Sequence, residues 1–215
     1  MTEDTRWNRL VDRRSGSRGD ARRDALLGAL EELLREHSLE EVNVAEISRR
    51  AGVTRSAFYF YFESKAIAVM ALMQDLYDAA ADANELLVKA EGEAEQRVRT
   101  AITMLFDSVD GSAHTYRALL EARAASPAVR EMWDAGRADF AGVIGAMIGT
   151  ERAAGRATPG PAEDALATVL LDLNDHALER HVLGAGPARE DHIDTLTHLW
   201  LRSIYGTDHR PRSDA

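Results

Sequence analysis

Arg55 and Ser56 stand just before a run of five aromatics, Phe58, Tyr59, Phe60, Tyr61 and Phe62, and Lys65 follows it. The whole chain holds five Phe, five Tyr and three Trp, so much of its aromatic content sits in this one pentapeptide. These residue types suit recognition better than bond-breaking. A guanidinium forks onto guanine O6 and N7 in the major groove, and a phenyl ring such as Phe60 can meet a thymine methyl. The Ser56 hydroxyl can give or accept a hydrogen bond at a base edge. Tyrosine hydroxyls reach phosphate oxygens without adding charge. Lys65 falls in the first turn of a helix that Ser64 can cap, where a cation opposes the helix dipole and asks for an anion, phosphate being the obvious one. The partner this chemistry describes is double-stranded DNA.

The elements around the run must turn it outward. Read alone, alternating Phe and Tyr suggests a strand, but the flanks specify helices. Leucines at 26, 27, 30, 33 and 34 form one helical stripe after Asp20, which can cap it. Asn43 and Glu46 have capping-box spacing and open a short helix with Val44, Ile47 and Ala51 inward. Ala51-Gly52-Val53 makes a tight turn, since Gly52 takes positive φ cheaply. A second short helix runs from Thr54 to Phe60. Residues four apart share a helical face, so Phe58 and Phe62 point to the core with Val53, Arg55 and Tyr59 share another face, and Ser56 and Phe60 lie beside it. A longer helix followed by two short ones joined by such a turn is a helix-turn-helix. Asn43, Arg55, Ser56, Tyr59, Phe60, Tyr61 and Lys65 are its predicted DNA-binding residues.

The rest of the chain also reads as helix, so the expected fold is all-α. Ser64 caps a helix expected to run into the 80s. Others cover 94–109 and 113–125. Ser126-Pro127 opens one reaching towards Arg156. "GRATPG" ends it, a further helix spans 161–183, and the last spans 189–205 after the "GAGP" loop. The predicted organisation is a disordered basic arm over 1–18, a DNA-binding domain over 19–65, and a ligand-binding and dimerisation domain over 66–215. Charge follows the same division. The net charge is −10, yet residues 1–65 carry 12 basic and 12 acidic side chains and are neutral. Arginines at 6, 9, 13, 14, 18, 22 and 23 face only Asp12 and Asp20, so the N-terminal end can be held to a polyanion while the acidic remainder is not.

Zero cysteines remove disulfides, thiolate zinc sites and cysteine nucleophiles. No apolar run approaches membrane-spanning length, and the Arg-rich start is unlike a secretory signal, which leaves a cytoplasmic protein with no membrane partner. The histidines at 37, 114, 176, 181, 192, 198 and 209 include no i, i+4 pair, so no metal site is expected. "GVIGAMIG" (142–149) has helix-packing glycine spacing, not that of a phosphate loop. No catalytic residue and no cofactor are assigned.

The run "LEEVNVAEISRRAGVTRSAFYFYFESKAIAV" (39–69) resembles the TetR family of transcriptional regulators in the spacing of Val44, Ile47, Ala51-Gly52-Val53, Tyr59, Phe62 and Ser64-Lys65. The resemblance implies a recognition helix at 54–60, phosphate contacts from Tyr59, Tyr61 and Lys65, and a homodimer on a palindromic operator. Ser38 stands where members often carry Gly, and Phe60-Tyr61 replace a commoner polar pair. Farther on, "RAASPAVREMW", "DLNDHALERHVLG" and "DTLTHLWLRSIYG" resemble the ethionamide-resistance-type repressors, which bind elongated apolar ligands. That likeness implies a pocket lined or bordered by Trp133, Phe140, Asn174 and Trp200, with Leu105 and Phe106 nearby. Leu171 stands where those repressors carry a second asparagine.

Residue patterning supports the body more loosely. On 161–183, Leu166, Val169, Leu170, Leu173 and Ala177 form one apolar face, and Ala167, Leu171, Leu178 and Val182 a second, with Asn174 on their boundary. Its amide is either a core hydrogen-bonding group or an orienting group in a mostly apolar site. A monomer buries one helix face, so the second face, with Ile193, Leu196, Leu199, Trp200 and Ile204 on 189–205, points to a C2 dimer. The reading is a ligand-responsive repressor released by a small hydrophobic effector. The alternative is an activator or ligand-buffering protein of the same fold.

Overall fold

A computed structural model describes residues 17–89 and 92–206. Among the described residues every regular element is a helix: α1 (Ser17–Leu34), α2 (Val44–Arg50), α3 (Arg55–Tyr61), α4 (Lys65–Leu72), α5 (Gln74–Val88), α6 (Ala94–Gly111), α7 (Ala113–Ala125), α8 (Pro127–Ala153), α9 (Glu163–Val182) and α10 (Arg189–Tyr205). None of these is long and apolar enough to cross a membrane. The chain divides into two compact units. The first contains the described residues up to Tyr77 together with 111–136, and the second contains Asp78–Asp110 and the described residues from Arg137 onward. The first unit thus takes in more chain than the 19–65 expected of a DNA-binding domain. Of the arm predicted over 1–18, residues 1–16 lie outside the described residues, and α1 begins at Ser17, ahead of Asp20.

In the first unit the leucine stripe does what its spacing predicts. Leu26, Leu30, Leu33 and Leu34 are buried, and α1 packs on α2, α3, α4 and α7. Leu39, Val42, Ile47, Phe58, Phe62, Val69, Met70, Tyr116 and Leu119 are buried in the same unit. The helix expected to run unbroken from Ser64 is two helices. It breaks at Met73, whose N–H falls back on the Met70 carbonyl at 3.3 Å, while the Tyr77 N–H returns to the Met73 carbonyl. Neither glycine nor proline marks the site. Met73 is itself buried, so packing sets the break where the sequence carries no breaker.

The second unit is built around Ile102, Phe106, Ile144, Ile148, Leu170, Trp200 and Ile204, all buried. Phe106 packs against the rings of His181 and His192, with centroids 5.3 and 5.9 Å away. The loop between α8 and α9 is fastened rather than free. Arg152 donates to the Thr158 carbonyl (3.1 Å) and to the Pro161 carbonyl (2.7 Å) and pairs with Glu163 (2.9 Å), while the Thr158 N–H reaches the Ile204 carbonyl at the end of α10. The glycines of "GVIGAMIG" are used unequally. A Cβ on Gly145 would run into the Asp164 carboxylate and stand 3.4 Å from its Cα, whereas one on Gly142 would meet nothing. Gly145 therefore lets α8 and the start of α9 approach. Gly145→Val should cost ~1–3 kcal/mol through overpacking and lower the melting temperature by several degrees, at roughly 2–4 °C per kcal/mol for a chain of this size. Gly142→Ala should leave it unchanged or raise it, and equal melts for the two variants in calorimetry would remove Gly145 from the helix contact.

Candidate nucleic-acid interface and ligand cavity

Three side-chain caps set out the outward helices. Asn43 Oδ1 accepts from the Glu46 N–H (2.9 Å), Thr54 Oγ1 from the Ala57 N–H (3.2 Å) and Ser64 Oγ from the Ile67 N–H (3.2 Å). Each satisfies an orphan donor at a helix start. Between the first two caps, Gly52 takes φ 66° and the Val53 N–H closes on the Ser48 carbonyl at 3.0 Å. The turn fixes α3 so that Phe58 and Phe62 are 0% and 2% exposed, while Tyr59 and Phe60 are 47% and 59% exposed. Tyr61 is half-buried with its ring edge-on to Phe60. Arg55 and Ser56 are exposed, and the Arg55 guanidinium lies 5.7 Å from the Tyr59 ring centre and 3.4 Å from its hydroxyl. Arg55, Ser56, Tyr59 and Phe60 are thus brought together on one exposed helix, with Asn43 at the head of its neighbour.

Two charges are placed otherwise than the sequence suggests. Asn43 and Glu46 form only half of a capping box. The Glu46 carboxylate turns to Arg49 (Nε 2.8 Å, Nη2 2.6 Å) and Arg50 (Nε 3.2 Å), and these two partners hold its pKa down to about 2. Lys65 does begin α4, but its ammonium is not left open to an anion. Nζ donates to the carbonyls of Leu39 (2.5 Å), Glu40 (3.0 Å) and Val42 (2.7 Å). An ammonium has three protons, and three carbonyls of the turn leading into α2 take them. The negative ends of those peptide dipoles supply what the helix start withholds. The group expected on phosphate is a tie within the head.

In the second unit a cavity of about 30 Å³ opens among α5, α6, α8, α9 and α10. Five expected residues line it: Leu105, Phe140, Leu171, Asn174 and Trp200. Trp200 Nε1 donates to Asn174 Oδ1 at 3.1 Å, which fixes the amide and leaves its NH₂ as the donor. Two residues of the expected pocket are not in its wall. Phe106 is buried against His181 and His192, and Trp133 belongs to the first unit, where the Arg123 guanidinium covers its ring at 4.7 Å. The wall also holds polar groups that sequence reasoning missed, Asn84 on α5 and Arg137 on α8. Asn84 shares a face with Ala80, Ala83 and Leu87, so a polar residue inside an apolar stripe was the available signal. Arg137, three residues before Phe140, was another.

The family model for bacterial regulatory proteins of the tetR family matches residues 26–67, and that for the C-terminal domain of transcriptional regulator EthR matches 98–206. The HTH-type transcriptional regulator EthR of Mycobacterium tuberculosis is 32% identical over 192 residues, covering 87% of this chain and 89% of that protein. EthR of Mycolicibacterium smegmatis is 34% identical over 193 residues, 88% of each. Among solved structures, NalD, the secondary repressor of the MexAB-OprM multidrug efflux pump in Pseudomonas aeruginosa, has a TM-score of 0.63 at 19% identity over 87% of this chain and 98% of that one.

The Lys65 geometry separates two roles in solution. Each phosphate contact adds about 0.9 to the slope of log affinity against log salt concentration. Lys65→Met should lower the melting temperature and leave that slope unchanged for a DNA duplex that the wild type binds. A slope smaller by about 0.9 per protomer, with stability intact, would put the ammonium on phosphate after all.

Proposed function

This chain belongs to the TetR family of bacterial regulatory proteins, and from that premise we propose that it is a cytoplasmic, dimeric repressor that a small hydrophobic effector releases from a palindromic operator. Arg55, Ser56 and Phe60 read base edges in the major groove. Tyr59, Tyr61 and Asn43 address the sugar-phosphate backbone. The observation that carries the reading is that α3 leaves two aromatic rings and an arginine in water beside a fully packed core, while the same chain holds an apolar cavity with an oriented amide. The chemistry is recognition and release, with no catalytic step.

The size of the cavity bears on release. Pockets that enclose small molecules run from about 300 Å³ upward, so about 30 Å³ describes a closed state that an effector must open. A ligand shifts a conformational equilibrium only by its differential affinity for the two states. One that binds only the opened state has that difference built in. The Asn174 NH₂ faces the entering molecule as a donor, with its oxygen already held by Trp200.

The dimer surface is narrower than the sequence suggests. Leu170 and Leu196, in the broad apolar faces of α9 and α10, are 2% and 5% exposed and belong to the monomer's own core. Val169 and Leu173 on α9 and Leu199 on α10 remain, at 56%, 39% and 37% exposed. α9 and α10 pack on each other, and two such pairs related by a two-fold axis form the proposed interface.

Two measurements follow. Arg55→Ala should cost ~1–3 kcal/mol of discrimination at one base pair per half-site, read by fluorescence anisotropy on operator variants. In the same assay Asn174→Leu should keep ligand-free operator affinity and lose sensitivity to an apolar compound that releases the wild type. An Arg55→Ala protein with unchanged base preference overturns the assignment of α3. For the interface, Leu173→Glu combined with Leu199→Glu should sediment as a folded monomer at micromolar concentration, because neither side chain is needed by the monomer core. A persistent dimer would move the interface elsewhere.

A further inference from the structure

We propose that α3 reads a methyl group on DNA: Phe60 recognises the C5-methyl of a pyrimidine, so thymine and 5-methylcytosine are accepted at one position of each half-site while uracil and cytosine are not. The inference rests on the reading of α3 as the recognition helix and specifies what that helix selects. Its seven residues, Arg55–Tyr61, include no carboxylate and no amide. Cytosine N4 is read by a carboxylate acceptor and the N6/N7 edge of adenine by an amide fork, so this helix has the means for neither. What it has is one guanidinium, one aliphatic hydroxyl and a set of rings. Arg55 is kept available for guanine. Its Nη2 donates to the Tyr59 hydroxyl at 3.4 Å and its guanidinium lies 5.7 Å from the centre of that ring, and among the described residues no carboxylate pairs with it.

Phe60 serves the second base. It is 59% exposed, the most of any large apolar side chain among the described residues, and it shares a helical face with the exposed Ser56. Its ring is not loose. Tyr61, half-buried, meets it edge-on with centroids 5.0 Å apart and planes at 89°, so part of the entropy of placing the ring is lost on folding rather than on binding. A phenyl group carries no polar atom. In the major groove it gains from apolar area alone, and the C5-methyl of a pyrimidine supplies that area. The ring is therefore blind to the exchange of thymine O4 for cytosine N4, which is what separates thymine from 5-methylcytosine there. The Ser56 hydroxyl on the same face can donate or accept, so it follows the exchange by rotation. Removing the methyl is different, because the ring then loses the apolar surface it covered. Methylation of a cytosine thus turns a poor site into a good one, and the protein responds to a chemical modification of DNA as well as to base order.

The test begins with a duplex that the purified full-length protein selects from a random-sequence pool. Each thymine of the selected site is replaced in turn by deoxyuridine, in both half-sites together, and affinity is read by fluorescence anisotropy. At one position the loss should be about fourfold per methyl, and so at least about tenfold for the two half-sites. At that position 5-methylcytosine paired with guanine should bind at least about tenfold more tightly than cytosine paired with guanine, and within about threefold of thymine. Phe60→Ala should bind the members of each pair alike, within about twofold. Phe60 lies outside the buried core, so this variant keeps its fold, and the modified duplexes test the wild type with no change to the protein at all. Uracil tolerated at every thymine, a selected site without thymine, 5-methylcytosine no better than cytosine, or a preference for thymine over uracil that survives in Phe60→Ala each overturns this inference and leaves α3 as a recognition helix of other specificity. Failure of the pool to yield any enriched site overturns both.

Discussion

Two phenylalanine rings, four residues apart and withdrawn from water, decide where every other side chain of α3 points. Phe58 and Phe62 have their centroids 5.5 Å apart and are at most 2% exposed. Burying two such rings is worth several kcal/mol, which holds the helix in this rotation. Once they are fixed, the 3.6-residue period leaves Arg55, Ser56, Tyr59 and Phe60 on the outside. The exposed face is the geometric remainder of the buried one. The caps at Asn43, Thr54 and Ser64 then set where each helix begins, and the Lys65 tie joins the start of α4 to the turn before α2.

What could be read in the sequence was local. A cap, a turn glycine and an apolar stripe each act within a few residues, and the structure has the caps at Asn43 and Ser64, Gly52 and the Leu26–Leu34 stripe as patterning predicts, with Thr54 a further cap where the sequence reading began the helix itself. What could not be read depended on partners distant in sequence. The target of Lys65 lies more than twenty residues upstream. The break at Met73 has no breaker residue and comes from burial. Glu46 had two local options, the Asn43 N–H and the arginines one turn on, and the stronger charge-assisted bonds won. On α9, patterning showed that apolar residues covered more than one face. Only packing revealed that Leu170 turns inward and Val169 and Leu173 outward. Trp133 and Phe106 were placed by resemblance and aromatic character, which carry no information about which wall a ring faces.

Two polar groups of the cavity wall, Asn174 and Arg137, are already half engaged by the protein. Asn174 has its oxygen on Trp200 and its NH₂ uncommitted. Arg137 has one end on Asp175 and Leu171. A side chain held at one end loses its rotamer freedom during folding, so a ligand need not supply that entropy on arrival. Such groups orient a molecule at low cost, and an otherwise apolar wall needs few of them.

The loop between α8 and α9 has a consequence for the lifetime of the chain. Exposed and rich in Gly and Pro, with Arg152 and Arg156 close by, it has the composition of a site that proteases nick. Cleavage requires several residues to leave the surface together and extend through an enzyme's cleft, and the rate follows the free energy of that local opening. Here opening would break the Arg152 bonds to Thr158, Pro161 and Glu163, the Arg156–Glu151 pair and the Thr158 contact with Ile204 in one event. The segment is therefore durable where its composition reads as fragile, and the second unit stays on one unbroken chain.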